Sequence, residues 1–152
     1  MSLFGPSEPS DFDESLLKDV KTSRDFKLAH PVLVKMVKEL FEAYKRGFPH
    51  RDIIVTCTYR NPLEQQRLYA QGRFGNPGPI VTHLDGRTKL SNHNKFPARA
   101  VDLAILECGK CVWDETPFWP LGALAKQVGL IWGGDWVNFK DYPHLEIRSD
   151  VK

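Results

Sequence analysis

The chain has 152 residues, 41% of them hydrophobic and 26% charged, with a formal net charge of +2. That length can bury one core without staples or partners, and the balance excludes a collagenous, mucin-like or wholly disordered chain. The concentrated Lys/Arg stripe of a dedicated nucleic-acid binder is missing, and no stretch approaches the roughly 18 apolar residues of a membrane span.

Residues 1–25 read as a lead-in, its first dozen positions rich in Ser, Pro, Asp and Glu, and residues 26–152 as one domain. Met1 to Pro9 hold no basic segment followed by an apolar one, so the expected product is cytosolic. From Pro31 to Tyr44 the apolar residues Val32, Leu33, Val34, Met36, Val37, Leu40 and Phe41 recur at helical spacing, predicting an amphipathic helix begun by Pro31 and ended by Gly47. Asp52 to Thr58, short and rich in β-branched residues, predicts a core strand. Asn61 and Pro62 open a second helix that stops at Gly72.

Residues 72–91, with Gly72, Gly75, Gly78, Gly86 and two prolines, show little periodicity and predict a long loop of the kind that often carries function. Ala100 to Leu106 predicts a strand, residues 117–128 a helix closed by Gly129, and His144 to Ile147 a last short strand. Without a regular βαβ rhythm, the fold class is α+β, with helices packed on a small, largely antiparallel sheet in a single domain.

Three cysteines make a closed disulfide framework unexpected. Cys57, in an apolar run, reads as a buried structural thiol. Cys108 and Cys111 form a CxxC that suits a zinc knuckle, a redox pair or a tight turn, and the turn is preferred because no second CxxC or HxxxH follows.

Chemistry concentrates in two stretches, Ser91 to Asp102 and Trp132 to His144. A catalytic zinc needs three protein ligands from His and carboxylate with one position open, and His93, Asp102 and His144 satisfy that demand. In a strand, Asp102 would face away from Val101 and Leu103, turning its carboxylate alone toward a site. Asp141, three residues before His144, could take a proton from the attacking water. Alternatives stand beside each: His93 as a solvated loop residue, His144 as an edge-strand residue, and Asp102 as a partner of Arg99 or Arg60. His30 reads as a neighbour of the helix start, His50 and His83 as loop residues. Trp132, Trp136 and Phe139 suit either core or pocket walls.

The pattern Ser91-x-His93, Ala100-x-Asp102 and Asp141-x-x-His144 resembles the zinc peptidases of the D-Ala-D-Ala carboxypeptidase and L-alanyl-D-glutamate endopeptidase family. The likeness extends to Tyr59-Arg60, to the helix with Gln65 and Leu68-Tyr69 ending at Gly72-Arg73, and to Trp132-Gly133-Gly134-Asp135-Trp136, over roughly residues 28–148. It implies that His93, Asp102 and His144 bind Zn2+, that Asp141 is the catalytic base, that Arg60 steadies substrate or a developing oxyanion, and that Ser91 helps bind substrate. The implied substrate is a stem peptide of bacterial peptidoglycan, cut at the L-alanyl-D-glutamate bond by a phage endolysin-like monomer that reaches the wall after release from the host cytoplasm. A D-alanyl-D-alanine carboxypeptidase and a non-catalytic zinc-containing wall-binding module are the alternatives. The His93 to Asp102 loop is longer than in the common form, with Lys95 to Ala98 lengthening it.

Overall fold

Pro31 fixes the first turn of helix α1 (Pro31–Gly47), and the His30 ring caps it, Nδ1 accepting from the Val32 amide at 3.1 Å. The computed structural model describes residues 20–152. Leu33, Val37, Leu40 and Tyr44 form one wholly buried stripe along α1, each aliphatic side chain contributing about 1.5–3 kcal/mol on leaving water. They pack against Val101, Leu103 and Ile105 of strand β2 (Ala100–Glu107) and against Leu121 and Ala125 of helix α3 (Phe118–Gln127).

Strand β1 (Arg51–Cys57) leads into helix α2 (Pro62–Ala70), where the Asn61 side chain accepts from the Leu63 amide. The sheet is completed by β3 (Lys110–Cys111), β4 (Ile131–Trp132) and β5 (His144–Glu146). Its order is β1-β2-β5-β4 with β3 also on β2, and every pairing is antiparallel. The α+β architecture expected from the sequence is the one observed. Strands β3 and β4 were not anticipated, because two residues are too few to display an alternation.

Cys108 and Gly109 form the two-residue turn between β2 and β3, with φ of 50° and 81°. Positive φ at both central positions matches the twist of the flanking strands. The CxxC is thus a hairpin turn, and both of its thiols are exposed and free. Val20 to Asp25, on the lead-in side of the expected boundary, are already joined to the body: Val20 O accepts from Asn61 Nδ2, Thr22 Oγ1 from the Asn61 amide, and Ser23 O from the Thr58 amide. The rest of the lead-in lies outside the described residues.

Candidate metal centre

Asp102 sits where the sheet brings three elements together. Its neighbours Val101 and Leu103 enter the core, so strand alternation turns its carboxylate to the other face. Antiparallel register sets His144 of β5 directly opposite Asp102. His93 comes from the preceding loop, in a turn closed by Asn94 N donating to Ser91 O at 2.8 Å and Ser91 N donating to Asn94 Oδ1 at 2.9 Å. The Ser91 hydroxyl accepts from the His93 amide at 3.2 Å, so this buried serine braces the histidine's backbone.

Two hydrogen bonds set which ring nitrogens face the carboxylate. His93 Nδ1 donates to the Thr58 carbonyl at 2.8 Å, since a carbonyl can only accept. His144 Nε2 donates to Glu146 Oε1 at 2.8 Å. The remaining nitrogens, His93 Nε2 and His144 Nδ1, each lie 3.2 Å from Asp102 Oδ1. His93 Nε2 is buried, within ion-pair distance of that oxygen and yet in no hydrogen bond. Both histidines thus address one oxygen of Asp102, although their nitrogens are not within 4.8 Å of each other; among the described residues the donor sets that do converge within that distance are Cys57, His93 and Asp102, and Asp102, Asp141 and His144.

The titration behaviour reflects the same contacts. Burial alone would lower the His93 pKa, but the Asp102 carboxylate and then the Cys57 side chain outweigh it and push the group up to about 10. Burial likewise opposes ionisation of Asp102, and His144 and His93 overcome it, holding the carboxyl well below the usual carboxylate range. For His144 the desolvation cost is exceeded by Asp102 and Glu146, so its pKa also rises.

Asp141 borders this cluster, its Oδ2 3.9 Å from His144 Nδ1 and its side chain half exposed to the cleft. Desolvation first, and repulsion from Asp102 next, raise its pKa above the ordinary value. The Asp141 amide donates to Gly133 O at 3.0 Å, and Gly133 lies so close that an added Cβ would stand 2.4 Å from Asp141 O and 3.0 Å from His144 Cβ. Gly133→Ala must therefore move the Asp141 to His144 segment. We expect at least a tenfold fall in kcat/KM with about 1–3 kcal/mol lost in a denaturant melt, since small misplacements at reacting groups are costly.

Arg60 follows β1, its Nη2 donating to Asp102 Oδ2 at 3.2 Å and its Nη1 to Gln65 Oε1 at 3.0 Å. Of the two salt-bridge partners considered for Asp102, Arg60 is the one present; Arg99 instead donates to the Arg148 and Val151 carbonyls. A cleft of about 810 Å³ opens over the cluster, walled by α2, by Ile80 to Leu84 of the long loop, and by Trp136 and Phe139. Trp132 is a core residue, 1% exposed, whereas the Trp136 ring lies tilted 4.9 Å from that of His144 and Phe139 meets His83 at 4.5 Å. His83 thus belongs to the cleft rim, while His50 pairs with Glu107 on the far side of β1 and β2.

A family described as D-alanyl-D-alanine carboxypeptidase matches residues 85–147, the span that supplies His93, Asp102, Asp141 and His144. The peptidoglycan L-alanyl-D-glutamate endopeptidase CwlK of Bacillus subtilis (strain 168) is 32% identical over 146 residues, covering 88% of this chain and 80% of that protein. The chain belongs to the D-alanyl-D-alanine carboxypeptidase family of peptidases. The crystal structure of the Serratia marcescens L-Ala D-Glu endopeptidase ChiX shares the fold, with a TM-score of 0.65 at 18% identity over 87% of this chain and 92% of that one.

The D-alanyl-D-alanine carboxypeptidase family is zinc-dependent in general, and the residues here fit that ion. Bonds of about 2 Å at tetrahedral angles place donor atoms about 3.3 Å apart; the 3.2 Å between Asp102 Oδ1 and each histidine nitrogen meets that spacing, while the two histidine nitrogens stand more than 4.8 Å apart and would have to close on the ion. Glu146 is the residue that sequence reasoning missed: it orients His144 and is itself held by Asn92 Nδ2 at 2.8 Å. A signal existed, since residues i and i+2 of a strand share a face, which puts Glu146 beside His144.

Proposed function

We propose that this chain is a zinc-dependent peptidase of peptidoglycan stem peptides that cuts the L-alanyl-D-glutamate bond, with His93, Asp102 and His144 holding the metal. The observation that carries the reading is the approach of His93 Nε2 and His144 Nδ1 to one oxygen of Asp102, each at 3.2 Å, with the His93 nitrogen buried. When bound, zinc supplies a Lewis acid for the scissile carbonyl and acidifies a water.

The protein's own groups do the rest. Asp141 accepts the proton of the attacking water and returns it to the leaving amine, a role suited to a carboxylate whose pKa is already raised. Arg60 fixes the second oxygen of Asp102 and turns its remaining donors to the substrate or the developing oxyanion. Ser91 serves substrate indirectly, by bracing His93. Glu146 holds His144 in the tautomer that presents Nδ1, the role that hydrogen-bonded carboxylates play behind metal-bound histidines.

Digestion of purified peptidoglycan decides the bond. New amino-terminal D-Glu is the expected product; released terminal D-Ala without it would show a D-alanyl-D-alanine carboxypeptidase, the reaction for which the matching family is described. The endolysin setting, with a monomer made in the host cytoplasm, belongs to the same reading. The expected result is clearing of chloroform-treated cells at a rate matching stem-peptide cleavage; fragments without clearing would overturn it.

A further inference from the structure

Cys57 ends β1 and has no place in the chemistry above. Along that strand Ile53 and Val55 pack against the core, and simple alternation would send Cys57 the same way. The register shifts between Val55 and Cys57: Val55 pairs with Leu103, but Cys57 pairs with Asp102, whose side chain points to the opposite face from Leu103. This bulge re-aims the thiol, as bulges beside active sites do.

The result is a second donor set. The Cys57 sulfur, a His93 nitrogen and an Asp102 oxygen all lie within 4.8 Å of one another. Cys57 is 7% exposed; its sulfur lies 3.9 Å from the carbonyls of Thr58 and Tyr59 and also engages the His93 side chain. Independently, His93 Nε2 is without a hydrogen bond on a residue 2% exposed, while Nδ1 is committed to Thr58.

We propose that Cys57 is a metal-ligating thiolate: with His93 and Asp102 it forms a soft donor set, overlapping the first, that captures thiophilic divalent cations such as Cd2+. Sulfur selects soft ions where imidazole and carboxylate alone favour harder ones. Binding replaces the S–H bond with a metal–sulfur bond and releases the thiol proton to solvent. An ion held there draws His93 and Asp102 away from the pair they make with His144, so Cd2+ competes with Zn2+ for two shared ligands. The inference rests on the metal reading of His93 and Asp102.

The test uses the full chain carrying Cys108→Ser and Cys111→Ser, so that Cys57 is the one thiol left. After chelation and dialysis it is titrated with Co2+ and with Cd2+. The expected result is a thiolate-to-metal charge-transfer band in the near ultraviolet at one equivalent, loss of that band in Cys57→Ser, and at least tenfold slower modification of the thiol by a disulfide reagent once Cd2+ is bound. The thiol-protection measurement needs no Cys57 variant and so survives a folding failure. Stoichiometric binding with visible Co2+ absorption but no thiolate band and no protection overturns the role of Cys57 alone. Absence of any stoichiometric binding overturns the metal reading beneath it.

Discussion

Asp141→Asn is expected to lower kcat on peptidoglycan by about 10³-fold, within the range that general acid–base groups contribute, while zinc content stays at the parent level. Asp141 lies 3.9 Å from His144 Nδ1, beyond the 3.2 Å contacts that join Asp102 to the histidines, and shares a donor set within 4.8 Å with Asp102 and His144; its role as base requires that its loss spare the metal. The sign of the stability effect separates catalysis from structure. Desolvation and the Asp102 charge raise the Asp141 pKa, which means that the fold disfavours its ionised form. Asparagine removes that penalty, and the chelated variant should melt no lower than the chelated parent. Parental kcat in the variant would remove Asp141 from the mechanism. Loss of zinc together with activity would make it a ligand.

Legibility in the sequence followed the length of each signal. Helix α1 announced itself through a stripe from Leu33 to Tyr44, and Asp102 through its place between Val101 and Leu103, because alternation turns a residue between two core neighbours to the opposite face of the sheet. The meeting of Asp102 with His144 was foreseeable only as a possibility, since register depends on pairing across 42 positions. Cys57 is buried as expected, but its turn toward Asp102 was not legible: the bulge arises from how β1 meets β2, and nothing in residues 51–57 marks it. Trp132 and Trp136 lie in one short motif, and only the tertiary packing sends one into the core and the other to His144. The loop over residues 72–91 has no period to read, because its order comes from single polar ties. Arg73 Nη1 donates to the Tyr69 and Thr82 carbonyls, and the Asp85 carboxylate accepts from the amides of Arg87, Thr88 and Lys89.

Removing the metal should abolish activity, lower Tm on the order of 10 °C, and do so more strongly as pH rises. A ligand at about a thousandfold excess over its Kd adds about 4 kcal/mol to the folded state, and for a chain of this size each kcal/mol moves Tm by about 2–4 °C. The pH dependence follows from what replaces the cation. In the stripped protein His93 has a pKa raised from 6.5 to about 10, so its contribution is fully present below pH 6.5 and is lost as pH climbs through 10. Asp102, held below its ordinary 3.8, contributes above that value and fails only in stronger acid. The stripped protein is therefore most stable in mildly acidic buffer, where a proton serves in the metal's place, and weakens on alkalinisation. The loaded protein behaves in the opposite way, because the ion must displace that same proton and binds better as it becomes scarce. Calorimetry with and without chelator should show the Tm gap widening from mildly acidic to mildly alkaline buffer, and His93→Ala should abolish the gap. A gap that stays constant or narrows with rising pH would mean that the proton on His93 and the metal do not share one place, and that the cation is held elsewhere.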